Sequence, residues 1–451
     1  MTALAMAKTK TKRALVVGLG LTGISCVRHL VMRGYDVTVV DTREQPPKLA
    51  ELRRELPQVA VHTGGLSAAL FNNPGLLVVS PGVSVKETEI ARATEHGAEV
   101  VGDIELFARE ATAPVIAVTG TNGKSTVTAL TGEMCRHAGL RTAVGGNIGV
   151  PALSLLTGDE PDVYVLELSS FQLETTTSLN ARAAAVLNIT SDHMDRYRDI
   201  NEYAGAKAQI FRGNGTMVIN TDDPLVLRMG QSGRRVVNFG LGRPLTAQDY
   251  GLDENRGETW LMRGKESLMP VREVPLTGRY NLANVLAAMA LAEAVGVAPE
   301  AFCAAVRTFK GLKHRTELVA EHQDVRWYDD SKGTNVGATV AALNGMTSPV
   351  ILIAGGDGKG QDFSDMKPAC IQHARAVVLI GRDAPKIEAA LGKAVKVHHA
   401  KDMHDAVRIA KRLAQPGNVV LLSPACASFD MFRNYEHRAE VFCQAVREEL
   451  A

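Results

Sequence analysis

The sequence predicts an α/β protein built on doubly wound, parallel sheets, and three observations carry that prediction. Short apolar runs alternate with helical patterns through most of the 451 residues. Strands that alternate with helices form parallel sheets, because a parallel pair needs a long crossover. Three of the runs end in a glycine-containing turn that reads as the start of a helix, at residues 18–23, 120–124 and 355–360. One ligand-facing turn per domain gives segments 1–102, 103–311 and 312–451, each of ordinary domain size.

The predicted strands cover residues 14–17, 37–40, 76–79, 115–118, 163–166 and 184–187, then 350–354, 376–380 and 419–422. Residues 223–273 are polar and weakly patterned, and read as a peripheral β region. No internal repeat or low-complexity tract interrupts the pattern.

Composition removes several function classes. Fifty basic against forty-nine acidic residues leave a formal net charge of +1, which argues against a nucleic-acid or membrane-surface partner. The six cysteines are scattered with no C-x-x-C pair, so neither a zinc site nor a redox dithiol is indicated. That usage fits a reducing compartment. The basic start MTALAMAKTKTKR lacks the apolar core of a secretory signal, and no uninterrupted apolar run is long enough to cross a bilayer. A cytoplasmic protein is expected.

The central turn carries the most chemistry. In APVIAVTGTNGKSTVTALTGEM an apolar strand leads into Gly120, Thr121, Asn122, Gly123, Lys124, Ser125 and Thr126, then an amphipathic helix. Glycines let backbone N–H groups approach phosphates, and a helix N-terminus favours negative charge. Lys124 would reach the β- and γ-phosphates of a nucleotide, and the Ser125 hydroxyl would help hold Mg²⁺. Val118 stands where a Walker A loop has glycine. A βα turn with a chance Gly-Lys-Ser is the bland reading. Glu167 ends the strand of YVLELSSFQLE, where α/β sheets bind ligands. The residues alone leave it either a Mg²⁺ ligand or a helix-start glutamate. Asp192 and His193 follow a further strand end, in AAVLNITSDHMDRY.

The first turn, GLGLTG, is a complete G-x-G-x-x-G between strand and helix, and Asp41 ends the next strand. Taken alone it suits a NAD-dependent oxidoreductase, but the same backbone donors bind any nucleotide diphosphate. The last segment places DDSKGTN, GGDGKG and SPACASFD each after a strand, with HRTE before the first of them. Arg315, Lys332 and Lys359 there could offset phosphate or carboxylate charge, although such clusters also suit plain turns.

GTNGKST, LELSSFQLE, DHMDRY, HRTE, DDSKGTN, GGDGKG and SPACASFD together resemble the Mur ligases of peptidoglycan synthesis, over residues 13 to 451. GTNGK alone is shared with folylpolyglutamate synthases, whereas GLGLTG, VDTR and GDIELF resemble the D-glutamate-adding branch. The resemblance implies a Rossmann-like N-terminal domain for a UDP-sugar, a central P-loop-type ATPase domain, and a Rossmann-like C-terminal domain. It implies a monomeric ATP-dependent ligase joining D-glutamate to UDP-N-acetylmuramoyl-L-alanine through an acyl phosphate, in cell-wall building and hence cell shape and division.

By the same resemblance, Leu21, Thr22, Asp41, Thr42, Arg43 and Ser80 would contact the uridine nucleotide, and Asn147 the sugar-linked substrate. Gly120 to Thr126, with Asn284, Arg315 and Asp330, would hold ATP. Ser125, Glu167, His193 and a carbamylated Lys207 would hold two Mg²⁺ ions; read without the resemblance, Lys207 is a solvated helix lysine. Lys332, Thr334, Lys359, Ser428, Phe429 and Tyr435 would surround D-glutamate, the two aromatics standing where related enzymes have leucine and phenylalanine. An oxidoreductase or a non-catalytic nucleotide switch would instead show hydride transfer, or nucleotide binding without turnover.

Overall fold

The computed structural model describes residues 12–255 and 257–451, so most of the basic leader lies outside the described residues. The chain divides into two compact units. One holds the residues up to 119 with 140–185 and 205–216; the other holds 120–139, 186–204 and 217–451.

In the first unit, five parallel strands lie in the order Ala60–Thr63, Asp36–Asp41, Arg13–Val17, Leu76–Val79, Glu99–Val101. The inner strands are apolar runs such as LVV and LLVV, buried because helices cover both faces. Strand order reverses beside Arg13–Val17, and the GLGLTG turn sits at that switch point. Two of its glycines are forced. Gly18 has φ +94°, and a Cβ on Gly23 would lie 2.0 Å from the Gly18 carbonyl oxygen, which lets helix Leu21–Met32 pack close. The same unit holds four more strands in the order Ala183–Val186, Val115–Thr119, Val163–Glu167, Thr142–Gly146.

Two buried acids strap the start of helix Asp103–Ala108 to residues 172–178. Gln172 Nε2 donates to Asp103 Oδ2 at 2.9 Å, and the amides of Thr177 and Ser178 donate to Glu105 Oε2 at 2.7 and 2.9 Å. Burial pushes the Glu105 carboxyl up, but those amides and Arg109 more than reverse it, to about 2. Asp103 has fewer donors, so burial wins and its carboxyl is pushed up to about 6.

The second unit contains the five strands Glu266–Pro270, Glu258–Arg263, Tyr250–Asn255, Val236–Phe239 and Thr216–Asn220, in that order. The first three form an antiparallel meander, which is the peripheral β region expected from 223–273. Its other sheet runs Glu317–His322, Val325–Asp329, Val419–Leu422, Val350–Gly355, Ala374–Ile380, Val397–His399. That sheet is parallel except for its first edge strand, which turns back through Gln323 and Asp324 at φ +51° and +59°. Two left-handed residues are what a tight two-residue hairpin needs.

One sequence expectation is corrected here. Residues 355–360 do not open directly into a helix, because 361–365 intervene before Met366–His373. Gln361 is used as a cross-link there, accepting from the Val336 amide at 3.0 Å and donating to the Gly358 carbonyl at 2.9 Å.

The raised Asp103 carboxyl sets a pH dependence. A folded-state pKa above the unfolded one gives stability that is complete below about pH 4 and is lost as pH rises through about 6. Asp103→Asn removes that dependence while keeping an acceptor for Gln172. Urea unfolding of both proteins should show the variant gaining on the order of 1–3 kcal/mol relative to wild type between about pH 4 and 6, and no more above it. A difference flat across that window refutes the assignment.

Candidate active site

In the second unit the phosphate loop is held open by its neighbours. Gly120 has φ +148°, and a Cβ there would press on Leu187 at 2.9 Å; Gly123 has φ +85° and would strike Asn284 Oδ1 at 2.4 Å. The loop is zipped to residues 188–190. Asn188 accepts from the Asn122 amide at 2.8 Å and donates to the Asn122 carbonyl at 3.0 Å. The Thr121 amide donates to Asn188 O at 2.8 Å, and Thr190 N donates to Thr121 Oγ1 at 3.0 Å. Helix Lys124–His137 follows, so its free amides face the loop. Lys124 Nζ donates to the carbonyls of Gly120 and Thr121 at 3.0 and 2.8 Å.

Residues far along the chain join this loop. Arg315 Nη2 donates to Ser125 Oγ at 2.6 Å. Asn122, Gly123, Thr126, Asn284, Arg315 and Asp330 share one cleft. Asp330 is buried, accepts from Ser423 Oγ at 2.7 Å and from Thr316 N at 3.2 Å, and burial lifts its carboxyl to about 7. Lys332 Nζ lies 3.8 Å from the Tyr435 ring centroid, a cation–π contact. Lys359 Nζ is 3.8 Å from Asp192 Oδ1. Thr334 N donates to Lys332 O at 2.8 Å, closing the turn between the two side chains. Ser428 is buried, whereas Phe429 is 72% exposed.

Backbone strain gathers at the same place. Seven described non-glycine residues have positive φ; two form the edge hairpin, and the other five are His193, His314, Thr316, Lys359 and Ala425. All five lie on the loops named above, and strained backbone of this kind tends to cluster at functional sites. Burial holds the His193 imidazole below its ordinary value, with Lys359 and Lys124 adding to burial and Asp192 opposing it. A neutral imidazole suits metal ligation.

Arg438 organises the loops from below. Its fully buried guanidinium donates to Ser331 Oγ at 3.0 Å, Ser331 O at 2.7 Å and Cys426 O at 3.0 Å. Burial lowers its pKa to about 10, and the charge is retained. DDSKGTN and SPACASFD are thereby fixed to one another.

The first unit carries two further clusters. At the GLGLTG turn, Asp41 Oδ2 accepts from Leu19 N at 2.7 Å, Arg43 embraces the same carboxylate, and Ser80 Oγ donates to Gly18 O at 3.0 Å. Leu21, Thr42 and Arg43 are exposed beside it, and Thr22 is partly so. In the second cluster, Glu167 is 3% exposed and Oε1 accepts from Asn147 Nδ2 at 2.7 Å. Asn147 is brought there by the close pairing of Gly146, whose Cβ would lie 2.4 Å from Glu167 O. Glu167 Oε2 is buried with no hydrogen-bond partner among the described residues. Lys207 is 2% exposed, so it is no solvated helix lysine. Its amine donates to Thr119 Oγ1 at 3.4 Å, and Thr119 donates to Leu168 O, one residue past Glu167.

A buried carboxylate oxygen left unpaired is costly unless something binds it. In the first unit Glu167 Oε2 is an oxygen ligand of the kind a hard divalent cation takes, and in the second the Ser125 hydroxyl and the His193 imidazole each offer a ligand atom of their own. The residues present therefore suit Mg²⁺. Sequence reading assigned no role to Asn188, Thr190, Asn335, Ser423 and Arg438, which act by bracing; all but Arg438 lie within quoted segments, but nothing in those segments shows what they brace.

Three family models match in series: a Mur ligase MurD-like N-terminal domain over residues 12–102, a Mur ligase middle domain over 118–292, and a Mur ligase glutamate ligase domain over 314–426. The fold and these matches define an α/β ligase of three domains, and the chain belongs to the Mur ligase family. It is 54% identical over 440 residues to the UDP-N-acetylmuramoylalanine–D-glutamate ligase of Nitrosococcus oceani, covering 97% of each chain. It is 53% identical to the protein of that name from Methylobacillus flagellatus, covering 98% of each. Among solved structures it resembles a pseudomurein peptide ligase type C from Methanothermus fervidus (TM-score 0.62, 18% identity, 97% of this chain and 100% of that one). It also resembles the UDP-N-acetylmuramate–alanine ligase of Thermotoga maritima (TM-score 0.60, 20% identity, 97% and 99%). These distant structures share the fold.

Replacing Arg438 with methionine removes all three donors and leaves the Ser331 and Cys426 carbonyls unpaired. Stability should fall by about 2–4 kcal/mol in urea unfolding. An unchanged midpoint would show that the loops hold without it.

Proposed function

We propose that this chain joins D-glutamate to UDP-N-acetylmuramoyl-L-alanine, using ATP and passing through an acyl phosphate, in the synthesis of peptidoglycan precursors. The observation that carries this reading is the match, along nearly the whole chain, to relatives of that activity's name at more than half identity. The domains we assign are 1–102 for the UDP-sugar, 103–311 for ATP, and 312–451 for the amino acid. No helix of the described residues is long and apolar enough to cross a membrane. GLGLTG then serves a uridine nucleotide, and hydride transfer is not expected of it.

The chemistry brings one anion against another, so neutralising charge is the main task. Lys124 donates to the carbonyls of Gly120 and Thr121, and a triphosphate offers its ammonium a charged and stronger partner. Arg315 stands at the same loop through Ser125. Mg²⁺, held by Ser125, Glu167, His193 and a carbamylated Lys207 as two ions, would supply further positive charge. Asn284 and Asp330 line the nucleotide cleft. Leu21, Thr22, Asp41, Thr42, Arg43 and Ser80 take the uridine nucleotide, and Asn147 the substrate's sugar-linked end. Lys332, Thr334, Lys359, Ser428, Phe429 and Tyr435 take D-glutamate, whose two carboxylates match the two lysines.

The test is phosphate release that requires ATP, Mg²⁺ and UDP-N-acetylmuramoyl-L-alanine, with D-glutamate compared against L-glutamate and other amino acids. Release that depends on D-glutamate is expected; release with a different amino acid overturns the specificity, and none at all overturns the ligase reading. Glu167→Ala should lower kcat about a hundredfold or more at unchanged fold. Activity within a few-fold of wild type would remove Glu167 from the metal site.

A further inference from the structure

Asn122 and Asn335 are 213 residues apart in sequence, yet their side chains exchange two hydrogen bonds. Asn122 Nδ2 donates to Asn335 Oδ1 at 3.3 Å, and Asn335 Nδ2 donates to Asn122 Oδ1 at 3.1 Å. Asn335 also accepts from Ala338 N at 2.8 Å, which caps helix Val336–Asn344, and donates to Asp192 Oδ2 at 3.3 Å. The bland account is that Asn335 is only a helix cap. A cap needs one acceptor, and serine, threonine or aspartate would serve as well. Only a side-chain amide can cap and also donate to two further groups, so capping alone does not explain asparagine. The close approach is independently visible at Gly337, where a Cβ would lie 2.6 Å from Thr190 Oγ1 and 3.3 Å from Asn122 Nδ2.

The two ends of this pair lead to different substrates. Asn122 belongs to the phosphate loop, and its backbone is gripped on both sides by Asn188. Asn335 follows Lys332 and Thr334. Its neighbour Val336 is tied through Gln361 to the loop of Lys359, whose amine faces the same Asp192. These contacts give a shift of the phosphate loop, were nucleotide to cause one, a physical path to both lysines assigned to the amino acid.

We infer that the Asn122–Asn335 pair is a positioning contact through which nucleotide in the phosphate loop tightens the enzyme's hold on its dicarboxylate amino-acid substrate. This rests on the assignment of ATP to the loop and of D-glutamate to Lys332, Thr334 and Lys359. Such coupling is reciprocal, so the amino acid must tighten nucleotide binding by the same factor.

Asn335→Ser keeps a helix cap but is too short to reach Asn122. Asn335→Asp keeps the cap and the acceptor, loses both donors, and sets a carboxylate against Asp192. Wild-type release of phosphate with D-glutamate is measured first, because its failure would fall on the assignment of function and not on the pair. With that in hand, both variants should show KM for D-glutamate raised about tenfold or more, with Tm near wild type. A non-hydrolysable ATP analogue should bind them as it binds wild type when D-glutamate is absent, and without the gain that D-glutamate confers on wild type. Asn122→Ser combined with Asn335→Ser should be no worse than the single variants. A wild-type KM, a loss that tracks Tm, or additive effects in the double variant would each overturn the inference.

Discussion

The site depends first on the zip between the phosphate loop and residues 188–190. A loop that cradles phosphates must present backbone donors outward, so it cannot satisfy itself through regular secondary structure. Here Asn188 supplies the missing partners, accepting from one face of Asn122 and donating to the other, while Thr121 and Thr190 exchange bonds beside it. With the loop fixed, Lys124, Ser125 and the amides of their helix acquire definite positions. Arg315, Asn335 and Asn284 can then meet it from other segments.

A second constraint is that the glutamate-ligase segment is organised around one buried cation. Arg438 has no acidic partner at bonding distance among the described contacts and is satisfied by a hydroxyl and two carbonyls. Carbonyls suit a guanidinium because its donors are fixed in a planar fork. The arrangement ties two polar loops together through one side chain, with no carboxylate needed to hold it.

Much of this was legible in the sequence because strands announce their ends. The glycines at 18, 20 and 23, the loop 120–126, and Glu167 all lie at the C-terminal edges of apolar runs, and the structure puts them there. Lys207 was singled out only through likeness to a family. Nothing in NEYAGAKAQIF marks its amine as buried, because burial is conferred by strands elsewhere in the chain. Asn188, Asn335 and Arg438 were not legible either. Their partners are 66, 213 and 107 residues distant, and a single asparagine or arginine leaves no periodic trace. The turn at 355–360 departs from expectation for a related reason: Gln361 ties it to Val336, far off in the chain, and the helix begins only at Met366.

The left-handed residues have a wider consequence. At His193, His314, Thr316, Lys359 and Ala425 the backbone adopts a conformation that glycine would hold at lower energy. A lineage selected for heat resistance alone would be drawn to glycine at each of them, and four of the five would lose a side-chain contact by it: His193 and Lys359 with Asp192, His314 with Asp329, and Thr316 with the Tyr280 hydroxyl. The sequence keeps the side chains and accepts the strained backbone. Robustness and turnover are therefore set against each other at a handful of identifiable positions, which is where homologues from hot and cold habitats should differ least.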